Sequence, residues 1–283
     1  MQRAAEAKRS GIRLRTIRPD ERLVLAFIHP GDVAGVFMDS VLNVIMPECK
    51  PNGLFSAGGG YINLQSGPRI AEARSQVLEN YLNAAQYKEG EWILCADADM
   101  VFNLDDVRTL IAAADPIDRP IVGGLCFAGY SPETMYPTLY RLEEEGGSWA
   151  MSKELEYPKN AMVKVGATGA AFLLVHRTAL YKIYNAFKTL PNGQLNSYPW
   201  FVEGHVDSQG RQLGEDVAFC MRANAVGIPV YVHTGVTIGH RKNIVLTEQV
   251  YEDQQLLRRV KSGEYAEEIR EQARLEHTES VPV

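Results

Sequence analysis

Trp92-Ile-Leu-Cys-Ala-Asp97-Ala-Asp99-Met-Val-Phe102 places two carboxylates at i, i+2 within an otherwise apolar run. An apolar run of this length reads as a buried strand, and a buried strand does not keep carboxylates without a partner for their charge. Side chains at i and i+2 share a face if the strand continues through both. If it stops near Ala96, both fall on the loop at its carboxyl end, where open α/β sheets take ligands. Either way Asp97 and Asp99 are expected to converge on a metal ion or a ligand. Capping of the next helix is the simpler alternative, but Asp105 and Asp106 are better placed to cap the 107–114 segment. Three other places have types suited to chemistry. Glu215 and Asp216 open a helix after a long polar loop, where their simplest role is to offset the helix dipole. His240 follows Gly239 at a strand end, and imidazole joins carboxylate oxygens in sites for Mn, Fe or Zn. Arg74 lies one turn into a helix, near the end that binds anions.

The elements that must position these residues alternate. Leu23 to Ile28 is a continuous apolar strand, His29-Pro30-Gly31-Asp32 is a turn in which His29 can meet a nucleotide, and a helix follows to about Ile45, with Pro47 and Pro51 ending it. Tyr61–Leu64 is a short strand, and a helix over about 69–85 is capped by Ser66 or Gly67. Helix 105–114 precedes the strand Pro120 to Phe127. Residues 136–165 form a small antiparallel excursion, with strands at Tyr136–Leu142 and Met162–Val165. The glycine-rich start of Gly166 to Val175 either leaves room for something bulky or packs two elements tightly. A helix runs from about Thr178 to Phe187. Residues 190–213 form a long polar loop that carries Trp200 and Phe201; two adjacent exposed aromatics suggest a lid and a stacking platform. Helix Val217 to Val226 and strands at 228–232 and 234–238 complete the pattern. Strands alternating with helices imply an α/β class with a mostly parallel sheet.

With 46% hydrophobic and 23% charged residues the 283-residue chain has an ordinary globular composition, large enough for a substantial core. The 29 Lys and Arg stand against 35 Asp and Glu, a net charge of −6, which argues against a general nucleic-acid-binding surface. No apolar run is long enough to span a bilayer, and the Arg-rich start lacks the apolar core of a signal peptide, so a cytoplasmic location is expected. Cys49, Cys95, Cys126 and Cys220 are scattered and read as reduced. Residues 1–20 form a basic arm with Arg3, Lys8, Arg9, Arg13, Arg15 and Arg18; 21–245 form the main domain. Residues 246–283 read as charged helices broken at Ser262-Gly263. Their thin stripe of Leu256, Leu257, Val260, Tyr265 and Ile269 packs on the domain or on a second copy, which would make a homo-oligomer.

Four blocks, in order, resemble nucleotide-sugar glycosyltransferases of the GT-A fold, close to the family-2 type and its phage-encoded versions. They are Ser66-Gly-Pro-Arg-Ile-Ala-Glu-Ala-Arg74, Asp97-Ala-Asp99, Gly169-Ala-Ala-Phe-Leu-Leu, and Gly214-Glu-Asp-Val-Ala-Phe-Cys-Met-Arg222 running on to Gly239-His240. The resemblance implies a Rossmann-like sheet flanked by helices and a sugar transfer from a UDP- or GDP-linked donor to an acceptor hydroxyl, with inversion. It implies that Asp97, Asp99 and His240 form a site for Mn²⁺ or Mg²⁺, with Asp97 touching either the ribose or the metal. The donor would meet His29, Pro30, Arg74, Asp97, Ala98 and Gly169. Asp216, with Glu215 beside it, would be the catalytic base, and Trp200 and Phe201 would cover a glycan or protein acceptor. A catalytically silent nucleotide-sugar or carbohydrate-binding protein is the alternative. A phosphatase using Asp97 and Asp99 would need an early Asp-x-Asp-x-Thr strand, which the sequence lacks.

Overall fold

The computed structural model describes residues 12, 14–56, 59–129, 134–145, 148–242, 255, 256 and 258–263. In chain order its elements begin β1 (Leu23–His29), α1 (Gly35–Glu48), β2 (Gly60–Gln65), α2 (Ile70–Asn83), β3 (Trp92–Asp97), β4 (Met100–Val101), α3 (Leu104–Ala113), β5 (Ile121–Leu125) and β6 (Phe127–Ala128). They continue with β7 (Tyr136–Pro137), β8 (Leu139–Glu145), β9 (Ser148–Lys153), β10 (Met162–Val165), β11 (Ala167–Thr168), β12 (Phe172–His176) and α4 (Arg177–Phe187). The last are β13 (His205–Val206), β14 (Gln212–Leu213), α5 (Glu215–Ala225), β15 (Val230–Thr237) and β16 (Gly239–His240).

Seven strands form the central sheet in the order β10-β15-β5-β12-β3-β1-β2. β1 runs parallel to β2 and β3, and β5 parallel to β15, while β12 and the edge strand β10 run against their neighbours. The sheet is therefore mostly parallel, as expected. Its apolar strands alternate between two cores, because successive side chains point to opposite faces. Leu23, Leu25, Trp92 and Leu94 pack with α1 and α3 on one side; Val24, Ala26, Ile93 and Cys95 pack with α2, α4 and α5 on the other. Such burial, at about 25 cal/mol per Å² of apolar surface, is what holds the three layers together.

The antiparallel excursion differs from the expectation in its strands. Its sheet is β11-β8-β9. β9 is an additional strand, and Met162–Val165 instead joins the central sheet beside β15, through Val163↔Val232 and its neighbours. Pro47 does not stop α1 before it: it sits inside the last turn of that helix. The cap of α3 is Asn103, whose side chain accepts from the Asp106 N–H in a reciprocal capping box, so Asp106 serves the cap without being it. Ser66 does not cap α2; its hydroxyl donates to the His29 carbonyl at 3.2 Å.

The chain forms two compact units, residues 1–242 and residues 243–283. Of the basic arm, Arg3, Lys8, Arg9 and Arg13 lie outside the described residues. Arg15 pairs with Glu21 and Arg18 with Glu91, so these two arginines are tied to the domain. In the second unit a helical stretch runs through 258–262 and turns at Gly263, with φ of +84°. Leu257, Tyr265 and Ile269 of the expected stripe lie outside the described residues. Among the described residues no helix is long and apolar enough to cross a membrane. Cys95, Cys126 and Cys220 are buried and unpaired, and Cys49 is exposed and unpaired.

Candidate functional site

A cleft of about 550 Å³ opens at the carboxyl ends of the parallel strands β1 and β3, where ligand sites of open α/β sheets are found. Register places Ile28 beside both Asp97 and Leu64, so the ends of β1, β2 and β3 are level. His29, Pro30, Asp97, Ala98 and Asp99 line this cleft together, as does Arg74. His29 turns inward on itself, its Nδ1 accepting from the Gly31 N–H at 3.2 Å.

Asp97 and Asp99 share the cleft but not a partner. β3 ends at Asp97, and the chain turns through Ala98 and Asp99 before β4. Arg74 Nη2 donates to Asp97 Oδ1 at 2.7 Å, while Asp99 Oδ2 lies 2.9 Å from His240 Nε2. Among the described residues no group of three or more His, Cys, Asp or Glu side chains gathers as a metal site, and Asp97 and Asp99 take different partners. What forms is a two-residue edge. β15 delivers the chain to β16, which pairs antiparallel with β4 through His240↔Met100 and Gly239↔Val101.

The state of that edge follows from its hydrogen bonds. His240 Nδ1 is 2.7 Å from the Phe127 carbonyl, which can only accept, so Nδ1 carries hydrogen and Nε2 faces the Asp99 carboxylate. The bond to Asp99 raises the imidazole pKa, against partial burial. Burial pushes the Asp99 carboxyl up, but the bond and charge of His240, with Lys242, outweigh it and hold it below the usual range. An imidazole nitrogen fixed by a carbonyl behind it and set against a carboxylate oxygen suits a divalent cation in place of the shared proton. Asp99 and His240 fit Mn²⁺ or Mg²⁺ as two protein ligands, while Asp97 is held through Oδ1 by Arg74.

Arg74 is the hub of this cluster. Besides Asp97 it donates through Nε to Glu215 Oε1 at 3.1 Å and through Nη1 to the Ala170 carbonyl at 3.3 Å. Burial opposes its charge, yet Asp97 and Glu215 more than compensate, and its pKa is raised. The guanidinium ties the end of β3 to the first turn of α5. There Asp216 is half-buried, its Oδ1 accepting from the Val217 N–H at 2.7 Å. Burial first, then the neighbouring Glu215, push the Asp216 carboxyl up to about 6, against the Val217 N–H and Arg74. A Cβ on Gly214 would stand 2.6 Å from Asp216 Oδ1, whereas one on Gly169 would make an ordinary contact at 3.5 Å from Oδ2. At Gly166 a Cβ would lie 2.4 Å from the Leu142 backbone N, so the start of the glycine-rich stretch is tightly packed.

Trp200 and Phe201 are not the exposed platform expected. They are 3% and 1% exposed, Trp200 Nε1 donating to the Leu180 carbonyl at 3.1 Å and Phe201 stacking on Phe219 at 4.8 Å. Large rings in a polar loop gain more by anchoring it to the core than by facing water. Arg241, which sequence reasoning passed over, also lines the cleft, and its backbone N–H donates to the Asp99 carbonyl at 2.8 Å. Its position immediately after His240 was the available signal.

No family model and no curated protein matches the sequence. Solved structures are similar at low identity. A197 from STIV matches over 78% of this chain and 86% of its own, at 16% identity and a TM-score of 0.47. GalNAc-T7, crystallised with UDP, GalNAc and Mn²⁺, matches over 78% of this chain but 44% of its own, at 12% identity and 0.47. A glycosyltransferase involved in glycosylation of the major capsid of PBCV-1 matches over 60% and 70%, at 14% identity and 0.30.

Proposed function

We propose that this protein is a metal-dependent glycosyltransferase of the GT-A type, moving a sugar from a nucleoside-diphosphate sugar to an acceptor hydroxyl with inversion. One observation carries the reading: a cleft at the carboxyl ends of β1 and β3 holds Asp99 and His240 2.9 Å apart, and Arg74 ties its wall to Glu215, next to the half-buried carboxyl of Asp216. The order of the four sequence blocks supports the same reading.

Asp99 and His240 would hold Mn²⁺ or Mg²⁺, which supplies positive charge to a departing diphosphate. Asp97, oriented by Arg74, would accept from a ribose hydroxyl. Asp216, whose carboxyl titrates near 6, is matched to a general base at neutral pH: mostly deprotonated, yet more basic than an exposed aspartate. It would take the acceptor hydroxyl proton as that oxygen bonds to the anomeric carbon and the anomeric carbon–oxygen bond to phosphate breaks. Glu215, paired with Arg74, serves as the anchor of that turn rather than as a second base.

The test is binding and hydrolysis of UDP- and GDP-sugars with and without Mn²⁺. Free sugar released above background and abolished by EDTA supports the transferase. Tight donor binding with no turnover on any acceptor or water would instead support a nucleotide-sugar-binding protein, and no binding of any nucleotide sugar would dismiss the transferase.

A further inference from the structure

The cleft contains two guanidinium groups, and they are in opposite situations. Arg74 is almost wholly buried and spends its donors on Asp97, Glu215 and the Ala170 carbonyl. With two carboxylates against one guanidinium, that cluster has no positive charge to offer an anion. Arg241 lines the same cleft, is exposed, and its side chain makes no hydrogen bond or ion pair among the described residues. Its neighbours account for this. The Asp99 carboxylate is occupied by His240 at 2.9 Å and approached by Lys242 Nζ at 3.8 Å, so the nearest acid is already served.

Backbone geometry fixes where Arg241 stands. The β4–β16 pairing and the bond from its N–H to the Asp99 carbonyl set its backbone on the ladder that carries Asp99 and His240. The wall formed by Ser66, Gly67, Pro68 and Ile70 leads into α2, whose N-terminus has no side-chain cap. A carboxylate already sits at that end: Glu203 Oε1 accepts from the Ala71 N–H at 3.4 Å, in keeping with the sign of charge a helix N-terminus favours.

From these relations we propose that Arg241 is the side chain that grips the diphosphate of a nucleoside-diphosphate ligand, and that Arg74 does not touch it. This rests on the transferase reading above and assigns a residue within it. Three carboxylates, Asp32, Asp97 and Asp99, line the cleft, so a polyanion entering it needs cationic help beyond any metal ion. A guanidinium whose donors meet no partner among the described residues matches phosphate oxygens in a two-pronged contact that a lysine cannot copy.

The test is calorimetric binding of UDP and of GDP, with Mn²⁺ in excess, to the full-length wild-type protein and to Arg241→Ala and Arg241→Lys, with uridine and guanosine as uncharged controls. Arg241→Ala is expected to weaken diphosphate binding about ten-fold or more, with a shallower dependence on NaCl, while nucleoside binding and Tm stay at wild-type values. Arg241→Lys should fall between the two. Equal affinity and equal salt dependence of wild type and Arg241→Ala would overturn the assignment while leaving the transferase reading in place. Loss of nucleoside binding in step with diphosphate binding would also overturn it, showing a general effect on the cleft. If wild type binds neither diphosphate, both the assignment and the reading beneath it fail.

Discussion

Asp99 and His240 stand 141 positions apart in the sequence, yet Asp99 Oδ2 and His240 Nε2 are 2.9 Å apart. The contact exists because the end of β15 carries the chain across to pair with β4, and because the Phe127 carbonyl holds the far side of the imidazole. If this edge holds the cation, Asp99→Ala and His240→Ala should each lower Mn²⁺-dependent nucleotide-sugar affinity by about 10- to 100-fold. Tm without metal should change little for the partly exposed Asp99. Isothermal titration with and without Mn²⁺ checks it, and unchanged binding in both variants would remove these residues from the metal site.

Asp216 carries a pH prediction. Its carboxyl is raised to about 6 in the folded protein, from an ordinary value near 3.8. Activity should therefore rise with pH through a limb near 6, and Asp216→Asn should lose about 10²–10⁴ in rate. The stability change has the opposite sense. Between the two values the folded state binds more protons than the unfolded one, so stability falls as pH rises through this window. Asp216→Asn, which keeps an oxygen for the Val217 N–H, should remove that cost and gain roughly 1–2 kcal/mol at pH 7–8, read as a higher Tm. A variant that is inactive and also less stable would contradict this account.

Arg74→Ala leaves Asp97 and Glu215 without their shared cation in a largely buried place. Removing one member of such a group typically costs about 3–5 kcal/mol. The partial exposure of both acids lowers this to about 2–3 kcal/mol, read by urea titration. Arg74→Met should lose less, because it keeps a buried aliphatic stem even though it gives up the guanidinium that lies over Phe201 at 5.9 Å. A loss below about 0.5 kcal/mol in either variant would show that the hub does not hold the two walls together.

Trp200→Ala separates the core reading of this loop from the acceptor reading. Truncating a ring that is stacked on Tyr184 at 5.5 Å and hydrogen-bonded to Leu180 should cost about 3–5 kcal/mol. Chemical denaturation measures it. A stable variant with only its acceptor KM raised would restore the ring to the substrate surface.

His176 adds a pH dependence far from the cleft. Burial holds its pKa down at about 4, so the unfolded chain binds more protons between about 6.5 and 4, and stability should fall as pH drops through that range. His176→Asn should flatten this part of a Tm–pH curve.

The α/β class was legible in the sequence because its physical cause is local: continuous apolar strands such as Leu23 to Ile28 alternate with segments that turn and cap. The residues able to do chemistry were legible too, since Asp97, Asp99, Asp216 and His240 are polar groups set where the pattern otherwise buries apolar ones. What only the tertiary structure decided was how they pair. That Asp97 and Glu215 share the Arg74 guanidinium depends on where α2 is laid against β3 and α5. Trp200 and Phe201 read as exposed because their neighbours in sequence are polar. Their neighbours in space, Tyr184 and Phe219, come from two helices and are apolar rings. Types and periodicities are properties of a stretch of chain; charge compensation and burial are properties of the packed layers, and those selected the partners.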